Sequence, residues 1–277
     1  MSYQFPDKSG NSVQSRFERA QTPANVQAPL QPVRSAIVTA AGLGSRLGSL
    51  TSNRPKALVP VAGSPLLVRL AHQFEKAGIR ELTVVLGYMG EQIRQVIGNK
   101  LGTMSVRYLE SPDYGTTNNI ASIARVPAQT DPVVISDCDV FLSDLPQNWL
   151  CATGCDILVP TRPLAECEAG TVLRAENGRW RMLVLRDASQ VRSGDRKTIS
   201  LYLLYSASLL NLFFAGVSEA VAAGQTALYY EDVLTGLLKD RFSISNIAIE
   251  DTGLAAFEVD RPSDLQSAEH WAAAQIL

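Results

Sequence analysis

Apolar positions along the chain fall into short unbroken runs separated by stretches with helical spacing. Ala36-Ile37-Val38 begins the first run, which breaks into Ala40-Ala41-Gly42-Leu43-Gly44-Ser45-Arg46. Pro65 to Ala77 sets Leu67, Leu70, Ala71 and Phe74 on one helical face, and Gly78 supplies a C-terminal stop. Leu82 to Leu86 reads as a short buried strand ending in Gly87-Tyr88, Gly90 to Ile97 as a helix, and Val106 to Leu109 as a strand. Asn118 to Val126 reads as a helix, and Pro132 to Ser136 as a buried strand ending in Asp137-Cys138-Asp139. Repeated strand–helix units with apolar strands imply a mostly parallel sheet covered on both faces. Ligands on such sheets sit beyond the carboxyl ends of the strands, so Gly42 to Arg46, Gly87-Tyr88 and Asp137 to Asp139 are expected to converge.

The second half is richer in strands. Ile157 to Pro160, Val172 to Ala175, Arg181 to Leu185 and Thr198 to Tyr205 fit strands, with Asn177-Gly178 a hairpin turn. Helices are expected at Ala207 to Ala223 and Tyr230 to Asp240, strands at Ile247 to Ile249 and Ala256 to Val259, and a last helix from near Pro262. Residues 1–33 are polar, interrupted by four prolines and without periodicity, so a flexible N-terminal extension is expected there. Residues 34–277 form one domain whose second half closes over the site.

The hydrophobic fraction of 46% supplies material for a sizeable core, and the formal charge of −2 argues against a nucleic-acid surface or a polybasic membrane patch. Any anion site must then be built locally, which puts weight on Arg46, Arg54 and Lys56. Cys138, Cys151, Cys155 and Cys167 include no C-x-x-C pair and no histidine at zinc spacing, as in reduced thiols. No run approaches the roughly 18 apolar residues of a membrane span. A cytoplasmic protein follows as the expectation; a homodimer stays open.

The strand entering a glycine-rich turn lets backbone N–H groups approach a polyphosphate, while Arg46 and Lys56 supply positive charge. The standard loops do not fit: the Walker pattern lacks its Gly-Lys-Ser/Thr, and the dinucleotide fingerprint meets Leu47 where its third glycine belongs. Asp137 and Asp139 end a strand two residues apart, and only one of them is expected to face the ligand. Asp260 lies in Phe257-Glu258-Val259-Asp260-Arg261-Pro262, where it either serves the site or caps the helix that Pro262 opens. His72 and His270 fall on expected helices away from the strand ends, and no serine or cysteine neighbours a base. That argues against covalent or imidazole catalysis and suits an acceptor oxygen that is already ionised.

The pattern AAGxGSRL followed by PKALVPVAGxPLL resembles the signature of the nucleotidyltransferase (sugar-nucleotide pyrophosphorylase) superfamily. The resemblance implies a Rossmann-like three-layer α/β/α fold with a mostly parallel mixed central sheet, CTP and a small phosphorylated or phosphonate acceptor as substrates, and Mg²⁺ as cofactor. It implies Arg46 and Lys56 as catalytic cations, the latter facing solvent in the empty site, and Asp139 and Asp260 as metal carboxylates, with Asp137 left as a turn aspartate. The stretch from Ser35 to about Ala273 is most similar to the bacterial choline-phosphate cytidylyltransferases and their phosphonate-using relatives. Tyr114-Gly115-Thr116-Thr117-Asn118-Asn119, Gly87-Tyr88, Leu228 to Asp232 and Phe257 to Asp260 carry that likeness.

By that likeness Ala40, Ala41, Gly42, Gly44, Ser45, Gly87, Tyr88 and Asn118 would serve the nucleotide, Asn118 being equally placed to cap the following helix. Tyr205, Tyr229, Tyr230, Glu231 and Asp232 would receive the acceptor's cation. The choline enzymes place tryptophans where this chain has Tyr205 and Tyr230, which favours a primary amine such as 2-aminoethylphosphonate over phosphocholine. A sugar-1-phosphate or inositol-phosphate nucleotidyltransferase is the alternative, and a non-catalytic regulatory homologue a second.

Overall fold

The computed structural model describes residues 31–151, 154–165, 168–239 and 241–274. In its first half β1 (Ser35–Ala40), β2 (Glu81–Leu86), β3 (Met104–Glu110) and β4 (Val133–Asp137) alternate with α1 (Leu66–Ala77), α2 (Gly90–Ile97) and α3 (Asn119–Ile123). A short β5 (Val140–Leu142) follows, then β6 (Ile157–Pro163), β7 (Gly170–Glu176), β8 (Arg179–Leu185), β9 (Arg196–Thr198) and β10 (Leu201–Leu204). The chain continues through α4 (Ala207–Ala222), α5 (Tyr230–Leu237), β11 (Ile244–Ala248), β12 (Ala256–Glu258) and α6 (Pro262–Ala274).

The main sheet runs β8-β7-β9-β6-β10-β4-β1-β2-β3. β1 sits between β2 and β4, parallel to both, and β2 is parallel to β3. Ile37 and Val38 are therefore buried on opposite faces, which is what an unbroken apolar strand requires. The second half joins mostly antiparallel, β10 to β4 and β6, β9 to β6 and β7, and β7 to β8, while β11 pairs parallel with β6. The result is a mixed Rossmann-like sheet whose parallel strands carry the site at their carboxyl ends.

α1 buries Leu66, Leu67, Leu70, Ala71 and Phe74, and Gly78 ends it at φ 114°, donating to the carbonyls of Phe74 and Glu75 at 3.1 Å. Each large side chain so buried contributes about 1.5–3 kcal/mol relative to exposure. A second small cluster fixes the C-terminal arm. Phe141 on β5 packs its ring 5.8 Å from Phe257 on β12 and 5.6 Å from Trp271 on α6. β12 pairs antiparallel with β5, and Val259 N–H donates to the Asp139 carbonyl at 2.9 Å. Residues far apart in sequence thus bring Asp260 beside Asp139.

Several boundaries differ from expectation: the strand expected over Ile247 to Ile249 is Ile244–Ala248, and the helix expected over Asn118 to Val126 is Asn119–Ile123. The strand expected over Thr198 to Tyr205 is two strands, because Ser200 turns into the left-handed region at φ 51°. Of the extension expected over residues 1–33, residues 1–30 lie outside the described residues, while Val33 is fully buried and donates to the Leu150 carbonyl. Cys167 also lies outside them. Among the described residues, no helix is long and apolar enough to cross a membrane.

Candidate active site

β1 ends at Ala40, and the chain turns through Gly42 and Gly44 into a helical turn over Ser45–Thr51. Gly44 stands at φ 66°, and a Cβ there would lie 2.9 Å from the Cβ of Lys56, so only glycine lets the loop close onto the lysine. The Thr51 hydroxyl donates to the Gly44 carbonyl at 3.0 Å and holds the turn shut. This loop walls a cleft of about 320 Å³. Ala41, Gly42, Gly44, Ser45, Arg46 and Lys56 line one side, Tyr114, Thr117, Asn118, Asn119, Ser122 and Tyr229 another, and Thr39, Asp137, Cys138, Asp139 and Asp260 its floor.

The charged groups meet at Lys56, whose side chain is only 12% exposed. Its Nζ donates to Asp139 Oδ2 at 2.5 Å and also to Asp260 Oδ1. Arg46 Nη2 approaches the same Asp260 oxygen at 2.8 Å. Lys56 was expected to face solvent; instead the two carboxylates draw it inward. Burial pulls its pKa down, but Asp139 and Asp260 outweigh that and hold it above the ordinary lysine value. The carboxylates divide. Burial pushes Asp139 up despite Lys56, whereas in the more open Asp260 the attraction of Lys56 and Arg46 prevails over burial and lowers it.

Asp139 Oδ1 is buried and has no hydrogen-bond partner among the described residues, so one carboxylate oxygen is free for a cation. Among the described residues, no group of three or more His, Cys, Asp or Glu side chains is placed to hold a metal ion unaided. Two carboxylates on one floor, one of them with an unpartnered oxygen, fit Mg²⁺, which binds through one or two carboxylates and completes its shell with phosphates and water. They do not fit a structural all-protein metal cage.

Asp137 is a correction. Side chains two positions apart along an extended chain share a face, and both Asp137 and Asp139 line the cleft. The Thr39 hydroxyl donates to Asp137 Oδ1 at 2.5 Å, and burial with the nearby carboxylate of Glu231 pushes its pKa well up.

The remaining nucleotide residues divide into lining and bracing. Ala40 is buried in β1, and neither Gly87 nor Tyr88 lines the cleft. Tyr88 N–H donates to the Ala41 carbonyl at 2.9 Å and its hydroxyl to the Thr51 carbonyl at 3.2 Å, so it braces the glycine loop from behind. A Cβ on Gly87 would fall 2.6 Å from the Ala41 carbonyl oxygen, which explains glycine there. Asn118 lines the cleft, but its amide donates to the Ala227 carbonyl at 2.5 Å rather than capping α3. Arg54 is exposed and lies outside the lining.

The acceptor residues also separate. Tyr229, 39% exposed, lines the cleft with the Arg186 guanidinium 4.9 Å from its ring centroid. Tyr205 does not reach it: the ring is buried in the core and its hydroxyl donates to the Trp149 carbonyl. Tyr230 is fully buried edge-on against Tyr202 and Phe213, which rules out an open aromatic face. Glu231 is buried behind Asn119, whose Nδ2 lies 3.4 Å from Glu231 Oε2, and burial lifts its carboxyl to about 7. Asp232 is engaged by Arg186 at 2.6 Å and by the Tyr229 N–H.

The glycine loop at the carboxyl end of β1 thus stands over two cations and two carboxylates, one just beyond β4 and the other just beyond the antiparallel β12. The chain belongs to the MobA-like NTP transferase domain family, which matches residues 36–226. It is 35% identical over 86% of its length to CMP-5'-(3-aminopropyl)phosphonate synthase of Streptomyces rubellomurinus, but spans only 38% of that protein. It is 26% identical over 86% of its length to the 2-aminoethylphosphonate cytidylyltransferase of Lancefieldella rimae, spanning 91% of that one. The CTP:phosphocholine cytidylyltransferase of Streptococcus pneumoniae shares the fold, with a TM-score of 0.71 at 21% identity over 87% of this chain and all of the other.

Proposed function

We propose that the protein is a Mg²⁺-dependent cytidylyltransferase that moves CMP from CTP onto a small phosphonate or phosphate monoester bearing an amine, releasing pyrophosphate. The observation that carries the proposal is the meeting of Lys56, Arg46, Asp139 and Asp260 beneath the glycine loop. The two aminoalkylphosphonate relatives support the choice of nucleotide and acceptor.

An acceptor oxyanion forms a bond to the α-phosphorus while the bond to the bridging oxygen of the β-phosphate breaks and pyrophosphate leaves. The nucleophile is already ionised, so no general base is needed, in keeping with His72 and His270 lying exposed on α1 and α6. Lys56 and Arg46 neutralise the triphosphate and the charge that grows on the departing pyrophosphate. The loop backbone fixes the nucleotide so that the oxyanion meets phosphorus in line. Asp139 and Asp260 would hold Mg²⁺, which supplies phosphate charge neutralisation when bound.

For the acceptor, burial of Tyr205 and Tyr230 leaves Tyr229 and Tyr114 as the aromatic residues lining the cleft among the described residues, too few for a quaternary-ammonium cage. Asp137 on the floor and Glu231 behind Asn119 favour a primary ammonium, which seeks carboxylates and hydrogen bonds. The test incubates the protein with each of CTP, UTP, ATP, GTP and dTTP plus 2-aminoethylphosphonate, measuring pyrophosphate and the conjugate by mass spectrometry. CMP-aminoethylphosphonate formed only with Mg²⁺ is expected. Product equally abundant from UTP or dTTP would contradict the nucleotide assignment.

A further inference from the structure

Ser200 is a non-glycine residue in the left-handed region, at φ 51°, where a side chain is disfavoured. Both of its polar groups are spent near the cleft floor. Its carbonyl accepts the Asp137 N–H at 3.0 Å, and its hydroxyl donates to Glu258 Oε1 at 2.5 Å. The other Glu258 oxygen accepts from the buried Lys197 Nζ at 2.6 Å, with Arg162 at 3.9 Å. Gly170 makes room for this lysine, since a Cβ there would lie 3.2 Å from Lys197 Cε. Glu258 pairs in register with Val140, and the next N–H, of Val259, bonds the Asp139 carbonyl. One ribbon thus carries Asp139 and Asp260, and Glu258 ties it to the strand break at Ser200.

We infer that Ser200, Glu258 and Lys197 form a positioning network that sets the spacing of Asp139 and Asp260 and thereby the affinity of the site for divalent cations. The inference rests on those two aspartates being the metal pair. None of the three residues lines the cleft, so their effect passes through the ribbon rather than through substrate. A buried ion pair is a poor source of net stability against a packed apolar alternative, whereas groups behind a metal ligand commonly set its affinity.

Ser200→Gly separates positioning from folding, because it removes the hydroxyl while relieving the left-handed strain. The experiment measures Mn²⁺ binding by electron paramagnetic resonance without nucleotide, thermal melting, and KM for Mg²⁺ against kcat. Ser200→Gly is expected to melt at or above wild type yet bind Mn²⁺ about 10-fold more weakly, with KM for Mg²⁺ raised more than kcat falls. Glu258→Gln, which keeps the volume, is expected to shift affinity the same way. Wild-type Mn²⁺ affinity in Ser200→Gly, with binding lost in Asp260→Asn, overturns the network alone. Unchanged binding in Asp260→Asn overturns the metal pair and the network with it.

Discussion

Replacing Lys56 by methionine removes the cation that two carboxylates share and keeps most of its stem. The side chains of Asp139 and Asp260 are 14% and 26% exposed, so little water can compensate. Stripping one partner from a buried pair costs about 3–5 kcal/mol, and the partial opening of Asp260 to the cleft reduces this to about 2–4 kcal/mol. For a domain of this size that lowers Tm by about 5–15 °C. Lys56 is held above its ordinary value, so its contribution is complete below the free lysine pKa of 10.5 and lost only as pH climbs higher. Asp260 is held low, so its share is present above 3.8 and is lost as pH falls below. Calorimetry at pH 7 in EDTA therefore reads the full deficit, and millimolar Mg²⁺ should recover much of it by taking the cation's place between the carboxylates. Turnover should fall by about 10²–10³ even with Mg²⁺, the usual cost of losing a charge-stabilising donor. A variant that melts like wild type in EDTA, or shows no added stabilisation by Mg²⁺, would refute the reasoning.

Asp139→Asn and Asp260→Asn should each abolish turnover or demand far more Mg²⁺ in a titration of initial rate, whereas Asp137→Asn should retain Mg²⁺ dependence and raise the acceptor KM. Glu231, lifted to about 7 by burial, opposes folding as it ionises: its neutral form contributes stability below pH 4.5 that is lost as pH rises to about 7. Glu231→Gln should flatten that part of the stability–pH curve and lower kcat/KM for an amine acceptor above pH 7. CTP should be preferred over UTP and dTTP by at least about 10-fold in kcat/KM, and equal rates would move the protein to the sugar-nucleotide branch.

Much of this arrangement was legible because the first half of the chain obeys simple rules. The apolar face of Leu67, Leu70, Ala71 and Phe74 and the stop at Gly78 lead to α1, and the glycine turn leads to the cleft wall. What sequence spacing hid was where regular structure ends. Ser200 broke a strand that reads as continuous, since nothing local marks a serine for φ 51°. Tyr205 and Tyr230 resembled a cation box until packing showed Trp149, Tyr202 and Phe213 already claiming them. The inward pull on Lys56 depends on Asp260, 204 positions away, which only the β12–β5 ribbon brings near.

The central claim, transfer of CMP to an amine-bearing phosphonate or phosphate, is tested most directly by kcat/KM at saturating CTP and Mg²⁺. The acceptors compared are 2-aminoethylphosphonate, phosphocholine, glucose-1-phosphate and inositol phosphate. With carboxylates rather than an aromatic cage at the acceptor end, 2-aminoethylphosphonate should lead, phosphocholine should follow, and the two uncharged-tail acceptors should trail by at least about 10-fold. A clear preference for glucose-1-phosphate or inositol phosphate would contradict the account.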